Sequence, residues 1–209
     1  MKKNIQIPSY LQNQTGYKRI FSFYELYRTL VQVPSAVYQL IQNQRKQLVD
    51  PLFIERIQLA VTQVNECPAC SYAHAYLALK AGMDNEEIQA FLSGANDFIL
   101  AEDSKSLLFA HHFAEKRGVP KRIAYEEVER EYGAKKAKIL LAAMQVMLMG
   151  NIFGLPYSAL HSRLKGHPYT NSSLAHELSR LIAFFILLPI AILHALVLSI
   201  LGRSASTFS

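Results

Sequence analysis

Apolar positions recur at intervals of three and four along most of the chain, a pattern that predicts helices. The clearest stripe is Phe53, Ile54, Ile57, Ala60, Val61 and Val64. Asp50 and Pro51 precede it as cap and first-turn residue, and it closes near Asn65. The next helix runs from Cys67 to Lys80. Pro68 lies in its first turn, where a missing N–H costs nothing, and Gly82 ends it. Upstream, residues 21–40 read as a helix broken near Pro34, and Val37, Leu40 and Ile41 open a second piece that runs into Arg45. Downstream, Asp84 stands three before Glu87, in the form of a capping box, and starts a short helix through Phe91. Residues 103–116, closed by Gly118 and Pro120, and residues 123–132, closed by Gly133, follow. Residues 134–149 are almost wholly apolar after a Lys-rich first turn, which predicts a central buried helix. Residues 157–164 form a separate amphipathic piece ending at Gly166. No run of β-branched alternation bounded by turn residues competes with this reading, and no repeat of fixed period is present. The expected fold class is all-α.

The pattern changes after Gly166. His167, Pro168, Tyr169, Thr170, Asn171, Ser172 and Ser173 read as linker. From Leu181 to Leu201 there are 21 residues without a charge, interrupted by Pro189, with His194 and Ser199 the strongly polar side chains. As a helix this stretch is roughly 30 Å long, the thickness of a bilayer core. Two readings follow: a segment that spans or enters a membrane, or a helix buried between subunits of an oligomer. Arg163, Lys165 and Arg180 precede it and Arg203 follows, so a spanning segment would leave the rest of the chain in the cytoplasm. The expected organisation is an N-terminal helical segment (1–48), a central helical domain (49–166), a linker (167–180), a hydrophobic helix (181–201) and a tail (202–209).

The formal charge is +6 and it is dispersed, over Lys2 and Lys3, Lys18 and Arg19, Arg45 and Lys46, Lys121 and Arg122, and Lys135, Lys136 and Lys138. Such spreading describes a solvated surface, with an anionic membrane surface as the alternative. No nucleic-acid-binding motif accompanies it. The first residues are basic, but no apolar run of signal-peptide type follows, so the start reads as cytosolic. The chain has two cysteines, three positions apart. In a reducing compartment such a pair is a catalytic dithiol or a pair of metal ligands more often than a staple.

The candidate chemistry lies in Glu55, Cys67, Cys70 and His74. Both cysteines fall at a helix start, where unpaired backbone N–H groups and the helix dipole favour a thiolate. His74 follows Cys70 by four and shares its helix face, within reach of its proton directly or through water. Glu55 lies on the preceding helix and would orient His74 if the two helices pack. Two neighbouring thiols allow a full redox cycle: oxidation of one to a sulfenic acid, condensation with the other to a disulfide, and reduction by an external dithiol. The plainer readings are a zinc half-site of Cys67, Cys70 and His74, which lacks a fourth ligand, or an inert buried pair. Equally plain are an ordinary helix-face histidine at His74 and a surface carboxylate at Glu55. His111 and His112 are adjacent and point to different faces. Met144, Met147 and Met149 suit a flexible core or an apolar substrate pocket, and Tyr72 and Tyr76 lie near enough to line a pocket beside the dithiol or serve as packing.

The run ERIQLAVTQVNECPACSYAHAYLALKAGMDNEEI resembles the core of the alkylhydroperoxidase D-like proteins of the carboxymuconolactone decarboxylase superfamily. The likeness is tight over about 35 residues and looser from Pro34 to Gly166, where GNIFGLPYSALHSRLKG resembles the segment after the core helix. The resemblance implies an alkylhydroperoxidase D-like helical bundle and an oxidoreductase that reduces hydroperoxides or disulfides. It makes Cys70 the peroxide-reactive thiol, Cys67 the resolving one, His74 the proton acceptor and Glu55 part of the relay. It implies a dithiol reductant, lipoyl or thioredoxin-like, and a homo-oligomer, trimer or hexamer, with no cofactor and no metal. Ala69 departs from family members that carry a His between the cysteines, which implies simpler proton delivery or lower activity. The decarboxylase branch lacks the cysteine pair, so the intact pair points away from lactone chemistry. A non-enzymatic alternative is a membrane-tethered thiol sensor, oxidised once and read by a partner.

Overall fold

The computed structural model describes residues 5–95 and 97–209; Lys2 and Lys3 lie outside the described residues. Helices occur throughout, and among the described residues there is no strand. After a single turn, α1 (Ser9–Gln12), the long α2 (Phe23–Lys46) opens with a full capping box. Ser22 accepts from the Glu25 N–H, and the Glu25 carboxylate accepts from the Ser22 N–H. The helix passes through Pro34 without a break, contrary to the break expected there. An interior proline sacrifices one backbone bond and costs about 3 kcal/mol. Buried Leu30, Val31 and Ala36 on either side of it seat the helix on the core and hold it together.

Next come α3 (Pro51–Asn65) and α4 (Pro68–Ala81), both with proline in the first turn, as the sequence predicts. Asp50 caps α3 by accepting from the Leu52 N–H at 3.2 Å. Gly82, at φ +112°, closes α4 in the left-handed region that favours glycine. Asp84 caps α5 (Asn85–Ser93), accepting from the Glu87 N–H. Glu87 turns instead to Arg56, which also reaches Asp103 and so joins α3, α5 and the start of α6 (Ser104–Glu115). An amphipathic α7 (Arg122–Tyr132) leads into α8 (Ala134–Leu164), a single helix of 31 residues. The two pieces expected on either side of residue 150 are therefore one element, again running through a proline, Pro156, buried with Leu155 and Ala159. Fully buried Leu140, Ala143 and Met144 place α8 in the middle of the molecule, packed on α2, α3, α4, α7 and α9.

The stretch after Gly166 is docked. Asn171 accepts from the Tyr17 N–H at 2.8 Å and donates to the Tyr17 carbonyl at 2.9 Å, and the Thr170 N–H donates to the Thr15 carbonyl. Helix α9 (Leu174–Ile200) begins inside the region read as linker, capped by Ser173. It lies along α2 and α8 rather than projecting away. The tail returns to the same body. The Ser209 N–H donates to the Pro120 carbonyl, the Arg122 N–H donates to the Ser209 carbonyl, and the Phe208 ring packs 5.1 Å from Tyr125.

Candidate active site: a buried dithiol walled by α8

The sequence places Cys67 at the N-cap of α4 and Cys70 in its first turn. Between α3 and α4 the chain has a two-residue joint, and Glu66 there adopts φ +49°. That left-handed residue reverses the chain tightly enough to bring the start of α4 against α3. Glu66 is tied down by Lys18 at 2.6 Å and by Gln14, which donates to its carbonyl.

Both cysteines are free thiols and both are buried, Cys67 completely and Cys70 to 8% exposure. Burial pushes the Cys67 thiol well above the ordinary cysteine range, and its contact with Cys70 adds to the rise. The N–H groups of Cys70 and Ala69 pull the other way and do not prevail. For Cys67 the helix start thus fails to favour the thiolate expected from dipole reasoning, because desolvation is the larger effect.

On the solvent side of α4, His74 Nδ1 is hydrogen-bonded to Glu55 Oε2 at 3.0 Å, with both side chains largely shielded. The packing of α3 on α4 brings these two residues together. It fixes the imidazole through Nδ1, and among the described residues no hydrogen bond is made by its other nitrogen, Nε2. Among the described residues no hydrogen bond joins His74 to either sulfur. No group of three His, Cys, Asp or Glu side chains among them is placed to hold a metal ion.

The wall opposite the sulfurs comes from α8, and sequence reasoning missed it. Gly154 lies directly over the dithiol: a Cβ at that position would fall 2.7 Å from the Sγ of each cysteine. Four residues on, Ser158 accepts from the Ala69 N–H at 3.2 Å and donates to the Gly154 carbonyl at 2.8 Å, so it caps α4 from a neighbouring helix. Three residues before Gly154, Asn151 accepts from Asn65 and donates to Thr62, both at 2.8 Å, in a completely buried chain that ties α8 to the end of α3. The signal available was compositional: a glycine and an asparagine inside a long apolar helix, where both are unfavourable unless packing requires them.

Beside the start of α4 opens a cleft of about 800 Å³. Pro68, Ala69 and Tyr72 line one side and Tyr157, Ser158 and His161 the other. Tyr72 borders this cleft, while Tyr76 is exposed elsewhere. Met144 and Met147 are core residues. His112 Nε2 accepts from the Lys121 N–H at 3.1 Å and His111 is partly buried; neither joins the dithiol.

Fold and site together define an all-α protein built around a buried cysteine pair with a carboxylate–imidazole pair beside it. Residues 25–100, about a third of the chain, match the model of the carboxymuconolactone decarboxylase family, so this stretch is similar to that family. The matched stretch runs from α2 through α5 and contains Glu55, Cys67, Cys70 and His74. No curated protein and no solved structure matches the chain.

Proposed function

We propose that the protein is a thiol-dependent peroxidase that reduces hydroperoxides through Cys70 and Cys67. The Cys70 thiolate attacks the terminal peroxide oxygen; the O–O bond breaks, Cys70 becomes a sulfenic acid, and the alcohol leaves after taking a proton. The Cys67 thiol then attacks the Cys70 sulfur, forming a disulfide and releasing water. An external dithiol, of lipoyl or thioredoxin-like type, reduces that disulfide by exchange and is itself oxidised to a disulfide. His74, held by Glu55, takes the Cys70 proton through water and returns it to the leaving alkoxide.

The observation that carries this reading is the enclosure of two free thiols under Gly154, next to an oriented imidazole. The more completely buried thiol, Cys67, is held protonated, which suits a resolving partner; Cys70 is the thiol with some exposure. The same pair favours redox work over lactone decarboxylation, which needs no dithiol.

The test is mass spectrometry of the reduced protein after one equivalent of an organic hydroperoxide. Loss of about two daltons, mapped to a Cys67–Cys70 disulfide, is the expected result. Two unreacted thiols would refute the proposal. Oxidation without turnover in the presence of dithiol reductants would leave a thiol sensor.

A further inference from the structure

Helix α9 carries an apolar face that none of the described residues covers. On its inner side Ala191 is fully buried, and Phe184, Leu187, Leu188 and Leu198 pack against the core. On its outer side Ile182, Phe185, Ile186, Ile190, Leu193, Val197 and Ile200 recur at helical spacing with 50–85% of their surface exposed. From Ile182 to Ile200 this face is roughly 27 Å long. An exposed apolar surface of that extent marks an interaction site.

Its chemistry says what it meets. A protein interface carries about one hydrogen bond per 100–200 Å². Between Leu181 and Leu201 the strongly polar side chains are His194, already bonded to the Tyr27 hydroxyl at 2.9 Å, and Ser199. A surface this poor in donors and acceptors fits hydrocarbon, which asks for none. Arg180, before the uncharged run, has its guanidinium turned onto the Phe23 ring at 3.8 Å, while Arg203, just after the run, is exposed and suits acidic headgroups, as does the chain's net charge of +6.

The ends of α9 say how it lies. At its start Glu177 is paired with Arg163 of α8 through two hydrogen bonds of 2.8 Å. Beyond its end, Gln32 donates to Thr207 and Gln145 to Ser206, both at 3.1 Å, and Ser209 is bonded to Pro120 and Arg122. A spanning helix would carry this tail to the far side of the bilayer, away from every one of those partners. With both ends tied to one body, the helix has length enough to span and an anchorage that opposes it.

We infer that α9 docks lengthwise into one leaflet of a bilayer containing anionic lipid, as an in-plane anchor, with its polar face replaced by the rest of the protein. This stands apart from the redox reading and survives its failure.

The experiment uses the full chain and vesicles of phosphatidylcholine with phosphatidylglycerol. The chain contains no tryptophan, so Phe185→Trp and Ile200→Trp, both at exposed positions, report without background. The expected result is flotation with the vesicles, and equal quenching of both tryptophans by lipids brominated near the headgroup. The two positions are 15 residues apart, roughly 22 Å along the helix. Quenching at depths separated by that distance would establish a spanning helix and overturn the proposal. Absence from the floated fraction would overturn it too, and a doubled particle mass would then identify a second copy as the occupant. Ile186→Asp with Leu193→Asp should lower vesicle partitioning by roughly a hundredfold while leaving the melting curve in place; undiminished partitioning would also overturn it.

Discussion

Gly154 and Cys70 meet without a side chain between them: a Cβ on Gly154 would fall 2.7 Å from the Cys70 Sγ. The same Cβ would be 2.7 Å from Cys67, so one missing methyl group makes room for both sulfurs. A helix interior ordinarily favours alanine over glycine by about 1 kcal/mol. Here the collision costs more, because neither sulfur is the far end of a flexible chain. Overpacking of this kind typically costs about 1–3 kcal/mol. Gly154→Ala is therefore expected to be neutral or destabilising by up to about 2 kcal/mol in urea unfolding, and to slow oxidation of the dithiol. A variant stabilised by the full helical preference, with unchanged oxidation, would mean that the sulfurs are free to move aside.

The two thiols should label in a fixed order. Burial raises Cys67 well above the ordinary thiol range, so the folded state favours its protonated form. That contribution to stability is fully present below the unfolded value of about 8.5 and is lost as pH rises through the folded value. Cys70 is the accessible member of the pair. Iodoacetamide at neutral pH should modify Cys70 alone, and at pH 9 Cys67 should still be protected in the folded protein. Peptide mapping checks this. His74→Ala should slow Cys70 alkylation by at least about tenfold, and Glu55→Gln should slow it less; rates equal to wild type would remove the imidazole from the relay.

The residues that bear the proposed chemistry were legible because they are close in sequence and their spacing is the helix's own. Glu55 needed only one packing assumption, that α3 lies on α4, and the 3.0 Å bond to His74 depends on that packing. Asn151, Gly154 and Ser158 were not legible, since the site meets them across more than 80 residues of chain. No local rule says which helix will cover a dithiol. Pro34 misled for a related reason. It breaks an isolated helix, but in α2 the buried neighbours on either side outweigh one lost backbone bond, as they do around Pro156 in α8. The start of α9 was hidden by its polar first turns, where Glu177 looks like a surface charge and is in fact completely buried against Arg163.

That pair sets an acid limit on the anchorage of α9. Hydrogen bonds from Arg163 hold the Glu177 carboxyl below the usual carboxylate range, against the opposing effect of burial. A lowered folded value means stability that is present above the unfolded value of about 4.3 and is lost as pH falls through the folded one. The melting temperature should therefore fall with acidification below about pH 5. Glu177→Gln should lower it at neutral pH and flatten this part of the profile. Melting curves across pH 3–7 are the check, and parallel profiles for both proteins would exclude the pair as the source.

The chain Thr62–Asn151–Asn65 is the most demanding contact between α3 and α8, because all three side chains are completely buried. Replacing Asn151 by Leu keeps apolar volume and removes both bonds. It leaves the Asn65 amide and the Thr62 hydroxyl unpaired in the core, where each costs about 1–3 kcal/mol. The expected loss in urea unfolding is about 2–4 kcal/mol, larger than a surface substitution gives. Since Asn65 lies two residues before Cys67, separated from it by the left-handed Glu66, the loss has a chemical counterpart. A looser end to α3 allows the first turn of α4 to shift, and Cys67 should then become reactive toward iodoacetamide under conditions where the folded wild type is protected. A double-mutant cycle with Asn65→Ala separates the two effects. If Asn151 acts through Asn65, the second substitution adds little to either readout. If the two losses add fully, the buried chain supports the core alone and the dithiol is positioned by Gly154 and Ser158.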